Sequence, residues 1–210
     1  MGKRGIIIAS GECNIEQMIA GEDDVVIAAD GGLCHCKRLG LNPDYILGDF
    51  DSLADMSLLQ EYSEERIVKL PCEKDDTDTL AALKFGLEKG ITEFEIYGAL
   101  GGRLSHTIAN IQCLNYLKEH GAMGKISDEG IEMFLLKDES CEIGKDVIGI
   151  LSVFAMDSEA RGVTIKGCKY EIEDVKLTSD YPLGVSNELV GKAPHISVRE
   201  GSLLVIVEMM

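Results

Sequence analysis

The sequence contains no tryptophan, and aromatic residues make up only 5% of its 210 positions. Any stacking on a ligand ring therefore depends on tyrosine, phenylalanine or histidine. Basic residues are also scarce, with 20 Lys and Arg against 37 Asp and Glu, which gives a formal net charge of -17. Because proteins bind DNA and RNA mainly through basic contacts to phosphate, this charge predicts that no nucleic acid is a partner.

Long apolar runs are absent from the sequence as well. The first apolar run, Gly5-Ile6-Ile7-Ile8-Ala9, is too short for a signal peptide core, and no segment approaches the roughly 20 apolar residues of a membrane span. The seven cysteines show no spacing typical of a zinc ribbon or a disulfide framework, and Cys34-His35-Cys36 is more typical of helix residues than of a metal clip. We therefore expect a cytoplasmic protein that has reduced thiols and no membrane contact.

Short apolar runs alternate with helical periodicity through residues 1–124. The runs predict strands at residues 6–10, 25–29, 45–47, 67–70 and 94–97, and the periodic segments predict helices that end near Gly90 and Gly121. Alternation of this kind is typical of an α/β domain with a mostly parallel, Rossmann-like sheet and helices on its faces.

Helical periodicity disappears in residues 125–210, where short alternating or apolar runs follow one another. This pattern of short runs predicts a second domain, a C-terminal antiparallel β-sandwich. Glu200-Gly201 lies between strands predicted at residues 196–198 and 203–207, and is typical of a hairpin turn.

Acidic residues follow several of the predicted strands, in Asp30-Gly31-Gly32, Gly48-Asp49-Phe50-Asp51-Ser52 and Lys74-Asp75-Asp76-Thr77-Asp78. Parallel strands place their ligand sites at the edge where the strands end, so these carboxylates are expected to meet there. Carboxylates gathered at one edge repel one another, and a divalent cation, usually Mg²⁺ beside a phosphate, relieves that repulsion. The pattern therefore indicates an enzyme of phosphate chemistry.

Individual residues within these segments suggest more specific contacts. Asp49 and Asp51 are two apart and can point the same way in an extended loop, so both can face one metal ion. Lys74 can contact a phosphate, and the helix that follows it attracts anions at its N-terminus. A solvated turn and a helix cap at Thr77 or Asp78 remain the simpler explanations for each segment taken alone.

A glycine-rich turn, Gly98-Ala99-Leu100-Gly101-Gly102, follows the strand at residues 94–97. Arg103 behind it has a planar fork suited to phosphate oxygens, and Ser105 is predicted to be the N-cap of the next helix. Together with His106, these residues lie at strand exits of the same predicted sheet as the acidic segments. This convergence favours a site over a set of unrelated caps.

The order of these segments resembles that of the thiamin pyrophosphokinase family. The resemblance includes Ala29-Asp30-Gly31-Gly32, the segments that begin at Gly48 and Lys74, Gly101-Gly102-Arg103-Leu104-Ser105-His106 with Asn110, and Ser186-Asn187-Glu188. It implies an N-terminal α/β domain that binds ATP and Mg²⁺. It also implies a C-terminal β-sandwich that contributes to a thiamin pocket and to a homodimer interface. Members transfer pyrophosphate from ATP to the thiamin hydroxyl and release AMP.

The resemblance also implies roles for individual residues. Asp49, Asp51 and Asp75 or Asp78 would hold Mg²⁺, and Asp30 would lie near the reacting hydroxyl. The phosphate contacts would be Lys74, Thr77 and Arg103. Ser186 and Asn187 would line the thiamin pocket, and the other binding residues would be Gly31, Gly32, Ser105, His106 and Asn110.

Three alternatives remain open from the sequence. Asp49 could be the nucleophile of an Asp-based phosphatase, although that layout expects Asp-x-Asp after the first strand and here two predicted strands precede it. The family usually has aspartate where this chain has Ser105, which leaves a pyrophosphokinase that acts on another alcohol. The third is a thiamin- or nucleotide-binding module without catalysis.

Overall fold

The structure, a computed structural model, describes residues 3–50, 53, 56–73 and 75–210. The chain forms two compact units, one up to Glu129 and the other from Gly130 onward. Asp51 and Lys74, which the sequence places in the site, lie outside the described residues. No helix among the described residues is long and apolar enough to cross a membrane.

The first unit alternates strands and helices along most of its length. Its parallel strands lie side by side in the order β6-β5-β1-β2-β3-β4. Two 3₁₀ turns, Met56–Glu61 and Glu64–Arg66, precede β4. The elements are β1 (Arg4–Ile8), β2 (Val25–Ala29), α1 (Gly32–Leu39), β3 (Tyr45–Gly48), β4 (Ile67–Lys69), α2 (Asp78–Glu88), β5 (Glu93–Tyr97), α3 (Leu104–Glu119) and β6 (Met123–Asp128).

The central strands of this sheet are almost wholly buried because their residues are apolar without alternation. β1 and β2 expose only their first residue in part, as expected for strands covered on both faces. Glycines allow the helices to approach closely: a Cβ at Gly32 would lie 1.9 Å from the Ile8 carbonyl oxygen, and one at Gly86 would lie 2.5 Å from Phe94 Cε1. The strand ends and helix starts are thereby brought together.

The strands of the second unit form two sets of four, and the neighbours within each set are antiparallel. One has the order β12-β9-β14-β7 and the other β11-β10-β13-β8. Buried residues from both sheets, including Leu151, Val163, Ile196 and Val205, belong to one hydrophobic cluster. The strands are β7 (Ile131–Lys137), β8 (Ser140–Glu142), β9 (Ile148–Ala155), β10 (Glu159–Lys166), β11 (Ile172–Thr178), β12 (Asn187–Val190), β13 (His195–Ser197) and β14 (Ser202–Met209).

The predicted α/β class is confirmed, with a parallel sheet and helices followed by antiparallel strands. The hairpin predicted at Glu200-Gly201 is wrong, because β13 pairs with β10 and β8 whereas β14 pairs with β7 and β9. The Arg161 N–H donates to the Glu200 carbonyl oxygen at 2.8 Å, and the chain then crosses from one sheet to the other. β6, which pairs in parallel with β5, is a strand that the sequence did not predict.

Candidate active site

Asp30 lies directly after β2, at the edge where the parallel strands end. Its side chain is buried, with 5% exposed, and its backbone has a φ of 49°. The Asp30 N–H donates to the Leu47 carbonyl oxygen at 2.7 Å, which joins the ends of β2 and β3. A carboxylate is thereby held at the sheet edge rather than in solvent.

Asp49 follows β3 beside Asp30. A Cβ at Gly48 would lie only 3.2 Å from Asp30 Oδ1, so glycine lets the chain pass close to that carboxylate. The next residue, Phe50, is buried with a φ of 63° and packs in the core of the first unit. The buried phenyl ring thus anchors the chain directly after Asp49.

The N-terminus of α2 brings a further carboxylate to this edge. Thr77 is the N-cap, and its hydroxyl accepts a hydrogen bond from the Leu80 N–H at 3.2 Å. Asp78 is the first residue of the helix, where the helix dipole favours a negative charge. Of the two caps that the sequence allows, Thr77 is therefore the one found, and Asp78 lines the cavity at this edge.

The glycine-rich turn after β5 is anchored to α3 and to the segment after β1. Asn110 is buried, and its Nδ2 donates to the Ala99 carbonyl oxygen at 2.8 Å. The Glu12 N–H donates to the Leu100 carbonyl oxygen at 2.8 Å. Gly98 and Gly101 have φ values of 63° and 70°, which residues with a Cβ seldom adopt.

Arg103 and His106 meet at the start of α3. The Arg103 guanidinium donates to His106 Nε2, so this nitrogen is the acceptor of the pair. α3 begins at Leu104 with Arg103 at the N-cap position, because the Arg103 carbonyl oxygen accepts from the His106 N–H at 2.9 Å. The prediction that Ser105 is the N-cap is therefore wrong, and its side chain is exposed.

These strand ends and helix starts surround one cavity of about 540 Å³ in the first unit. The predicted site residues that line it are Asp30, Gly31, Asp49, Asp78, Arg103, His106 and Asn110. The glycine-rich turn that was predicted to belong to the site contributes Gly98, Ala99, Gly101 and Gly102. The lining residues that were not predicted are Ala9, Ser10, Gly11 and Thr79. Gly11 directly follows the strand predicted at residues 6–10, and this glycine was the signal in the sequence for that part of the lining.

Other predicted residues do not line this cavity. Asp75 is exposed, and Gly32 is buried where α1 meets β1. Ser186 and Asn187 belong to the second unit. The side-chain amide of Asn187 forms two hydrogen bonds with the backbone of Tyr170. Asn187 Nδ2 donates to the Tyr170 carbonyl oxygen at 2.7 Å, and Asn187 Oδ1 accepts from the Tyr170 N–H at 3.0 Å.

The donor set of the cavity suits a hard divalent cation. Asp49 and Asp78 offer carboxylate oxygens, which Mg²⁺ prefers. Within residues 3–50, 53, 56–73 and 75–210, no group of three or more His, Cys, Asp or Glu is arranged to hold a metal ion. Mg²⁺ usually takes one or two carboxylates and completes its shell with water and substrate phosphates, so two carboxylates are sufficient.

Comparison with known proteins places this geometry in a family. The thiamin pyrophosphokinase catalytic domain matches residues 17–124, and the thiamin pyrophosphokinase vitamin B1 binding domain matches residues 140–203. A thiamine pyrophosphokinase of Bacillus subtilis is 27% identical over 95% of this chain and 96% of its own length.

Solved structures agree with this result. A thiamin pyrophosphokinase family protein from Enterococcus faecalis is 26% identical, with a TM-score of 0.85 over 99% of both chains. A thiamine pyrophosphokinase from Bacillus subtilis has a TM-score of 0.83, also over 99% of both chains. Because the catalytic and vitamin B1 binding domains match in order over most of the sequence, the chain belongs to the thiamin pyrophosphokinase family.

Proposed function

We propose that this protein is a thiamin diphosphokinase, which transfers pyrophosphate from ATP to the hydroxyl of thiamin and yields thiamin diphosphate and AMP. One observation supports this function above the others: Asp30, Asp49, Asp78 and Arg103 line a single cavity at the ends of parallel strands. A cavity with carboxylates and a guanidinium suits a metal-bound triphosphate.

Electrostatics sets the main requirement of the reaction. Each pair of like charges about 4 Å apart costs on the order of 1–4 kcal/mol in a partly screened site, so triphosphate and carboxylates need cations between them. Arg103 supplies one such charge from the start of α3, and Lys74 is proposed to supply another. Mg²⁺ held by Asp49 and Asp78 would neutralise phosphate charge, including the charge that develops on the leaving AMP.

The residues of the chain position the reactants. Asp49 and Asp78, with Asp51 and Asp75, are proposed to hold Mg²⁺, and Thr77 and Arg103 to contact phosphate. The thiamin oxygen attacks the β-phosphorus in line, the bond from that phosphorus to the α–β bridging oxygen breaks, and AMP leaves. Asp30 orients the hydroxyl and can accept its proton, since its carboxylate is buried at the cavity.

The two units have different proposed roles. A Rossmann-like domain at residues 1–124 binds ATP and Mg²⁺, and a β-sandwich at residues 125–210 contributes to the thiamin pocket and the interface of a cytoplasmic homodimer. The vitamin B1 binding domain match at residues 140–203 supports this division. Ser186 is the better candidate for a thiamin contact, because the Asn187 amide already holds Tyr170.

An isotope experiment tests the reaction directly. Purified protein is incubated with Mg²⁺, thiamin and ATP that is labelled at either the α- or the γ-phosphate. We expect the γ label in thiamin diphosphate and the α label in AMP, with no product from a thiamin analogue that lacks the hydroxyl. Thiamin monophosphate with ADP would contradict attack at the β-phosphorus.

The same preparation separates the alternatives. A phosphatase would form a trappable phospho-aspartate at Asp49, and a binding module would bind thiamin without releasing AMP. A pyrophosphokinase for another alcohol would release AMP only with that acceptor. Light scattering during gel filtration tests the proposed homodimer.

The proposed thiamin contact has a separate test. Ser186→Ala is expected to raise the KM for thiamin without changing the KM for ATP.

A further inference from the structure

Asp76 and Lys84 form an ion pair at the start of α2. Lys84 Nζ lies 2.6 Å from Asp76 Oδ2, and the two side chains are 38% and 33% exposed. Asp76 precedes the helix, whereas Lys84 is in its second turn. The pair therefore ties the loop that follows β4 to the body of the helix.

The surroundings of the pair lie on α3. Lys84 Nζ is 5.8 Å from the centroid of the Tyr116 ring, within the range of a cation–π contact, and Tyr116 stacks on His120 at 4.0 Å. Burial, and next the negative charge of Asp76, raise the pKa of Cys113 to about 11. Asp76 is thus directed toward α3 and does not line the cavity.

The neighbours of Asp76 have different contacts. Asp75 is exposed, Thr77 caps the helix through the Leu80 N–H, and Asp78 lines the cavity. Asp76 and Thr77 together restrain the chain on the N-terminal side of Asp78. Lys84 also offsets the charge of an acid that would otherwise add to the repulsion of a triphosphate.

We propose that Asp76 and Lys84 are positioning residues, which hold the N-terminus of α2 so that Asp75 and Asp78 meet the Mg²⁺–ATP complex. This inference rests on the proposed function and deepens it. Neither residue lines the cavity, so we expect their effect on the affinity for Mg²⁺ and nucleotide rather than on the chemical step. An exposed ion pair adds little to folding stability, so the two effects can be separated.

The test compares Lys84→Met and Asp76→Asn with Lys84→Arg and with the charge swap Asp76→Lys/Lys84→Asp. Displacing a positioned group by about 1 Å can cost 10²-fold, and for loss of one restraint we expect about a tenfold rise in KM for ATP and in the half-saturating Mg²⁺ concentration. KM for thiamin and the thermal midpoint should stay the same. Lys84→Arg and the charge swap should restore most of the affinity.

A matched control is Lys37→Met, which removes another exposed ion pair of the first unit, with Glu61 at 2.7 Å. It should leave all of these constants unchanged. Equal constants in Lys84→Met and wild type would overturn the proposal. The proposal would also be overturned if Lys84→Met and Asp76→Asn lowered the thermal midpoint without changing the KM for ATP. It would likewise be overturned if Asp76→Asn were inactive while Lys84→Met had the constants of the wild type.

Calorimetric titration with Mg²⁺–ATP in the absence of thiamin separates this inference from the proposed function. If the wild type binds Mg²⁺–ATP tenfold more tightly than Lys84→Met but releases no AMP with thiamin, the positioning role holds and the proposed function fails. If the wild type is active and both bind equally, the positioning role alone is wrong.

Discussion

The Gly11 N–H donates a hydrogen bond to the Gly98 carbonyl oxygen at 2.7 Å, and this bond joins the segments that follow β1 and β5. Both glycines line the cavity. A Cβ at Gly11 would lie 2.5 Å from the Gly98 carbonyl oxygen, and one at Gly98 would lie 2.4 Å from that of Ala9. This part of the cavity is therefore lined by backbone atoms, and there is no room for a side chain at Gly11 or Gly98.

We expect Gly98→Ala to lower the free energy of unfolding by about 3 kcal/mol, because it adds a steric clash to a strained φ of 63°. Gly90→Ala is the matched control: Gly90 has a φ of 79°, but no atom lies within 4 Å of its Cβ position. That variant should lose only about 1 kcal/mol. Urea unfolding measures both, and equal losses would contradict the close approach.

Carboxylate charge at the cavity is expected to be needed for turnover and not for folding. Asp49→Asn and Asp78→Asn should each reduce kcat/KM by about 10²-fold or more, because a preorganised charge at the reacting phosphates is lost. Steady-state release of AMP measures the effect. Glu88→Gln, at the exposed end of α2, is the control.

Thermal unfolding distinguishes this loss of charge from misfolding, since all three variants should melt close to the wild type. Near-normal turnover of Asp49→Asn and Asp78→Asn at saturating Mg²⁺ would contradict the metal role of these residues.

The sequence predicts the sheet edge well because apolar runs and acidic segments are local signals. The strand predicted at residues 25–29 is β2, Val25–Ala29, and Asp30 follows it directly. α3 has Arg103 rather than Ser105 at its N-cap position. The reason is that hydrogen bonds within the turn and from Asn110 fix where the helix begins, and these outweigh the capping preference of Ser105.

Contacts distant in sequence explain the other misses. The pairing of β14 with β7 and β9 overrides the turn preference of Glu200-Gly201. The Gly11 to Gly98 bond joins segments whose proximity no local pattern indicates. Local chemistry therefore locates candidate residues, and strand order determines which of them share a cavity.

The free energy of unfolding should fall in acid because Asp24 becomes protonated and its ion pair with Arg4 is lost. Arg4 Nη2 lies 2.5 Å and Nε 3.1 Å from the two Asp24 carboxylate oxygens. The hydrogen bonds from Arg4 hold the pKa of Asp24 below its usual value of 3.8, with a further contribution from the Gly21 N–H. A carboxylate with a lowered pKa stabilises the fold above its unfolded pKa and loses that contribution as pH falls through the folded pKa.

We therefore expect Asp24→Asn to be less stable than wild type by about 1 kcal/mol at pH 7, a modest value because Arg4 is partly exposed. The difference should stay constant from pH 8 to about pH 5 and shrink below about pH 4. Urea unfolding across this pH range measures it. A difference that grows in acid would have the wrong sign for this pair.

The thiols should differ sharply in reactivity toward iodoacetamide at pH 8. All seven cysteines are free; Cys34 and Cys72 are exposed, whereas Cys36 and Cys113 are buried. Burial is the main reason that the pKa of Cys36 is raised to about 12 and that of Cys113 to about 11. Because the thiolate is the nucleophile, burial slows the alkylation of Cys36 and Cys113 in two ways: it limits access of the reagent, and it keeps the thiols protonated.

We expect peptide mapping by mass spectrometry to find Cys34 and Cys72 labelled first, and Cys36 and Cys113 labelled only after denaturation in urea. Cys34 and Cys36 are a stringent pair, because both lie on α1 and differ mainly in burial. Labelling of Cys36 at the rate of Cys34 in the native protein would mean that α1 opens locally. Since α1 follows Gly31 at the cavity, such opening would also disturb the site.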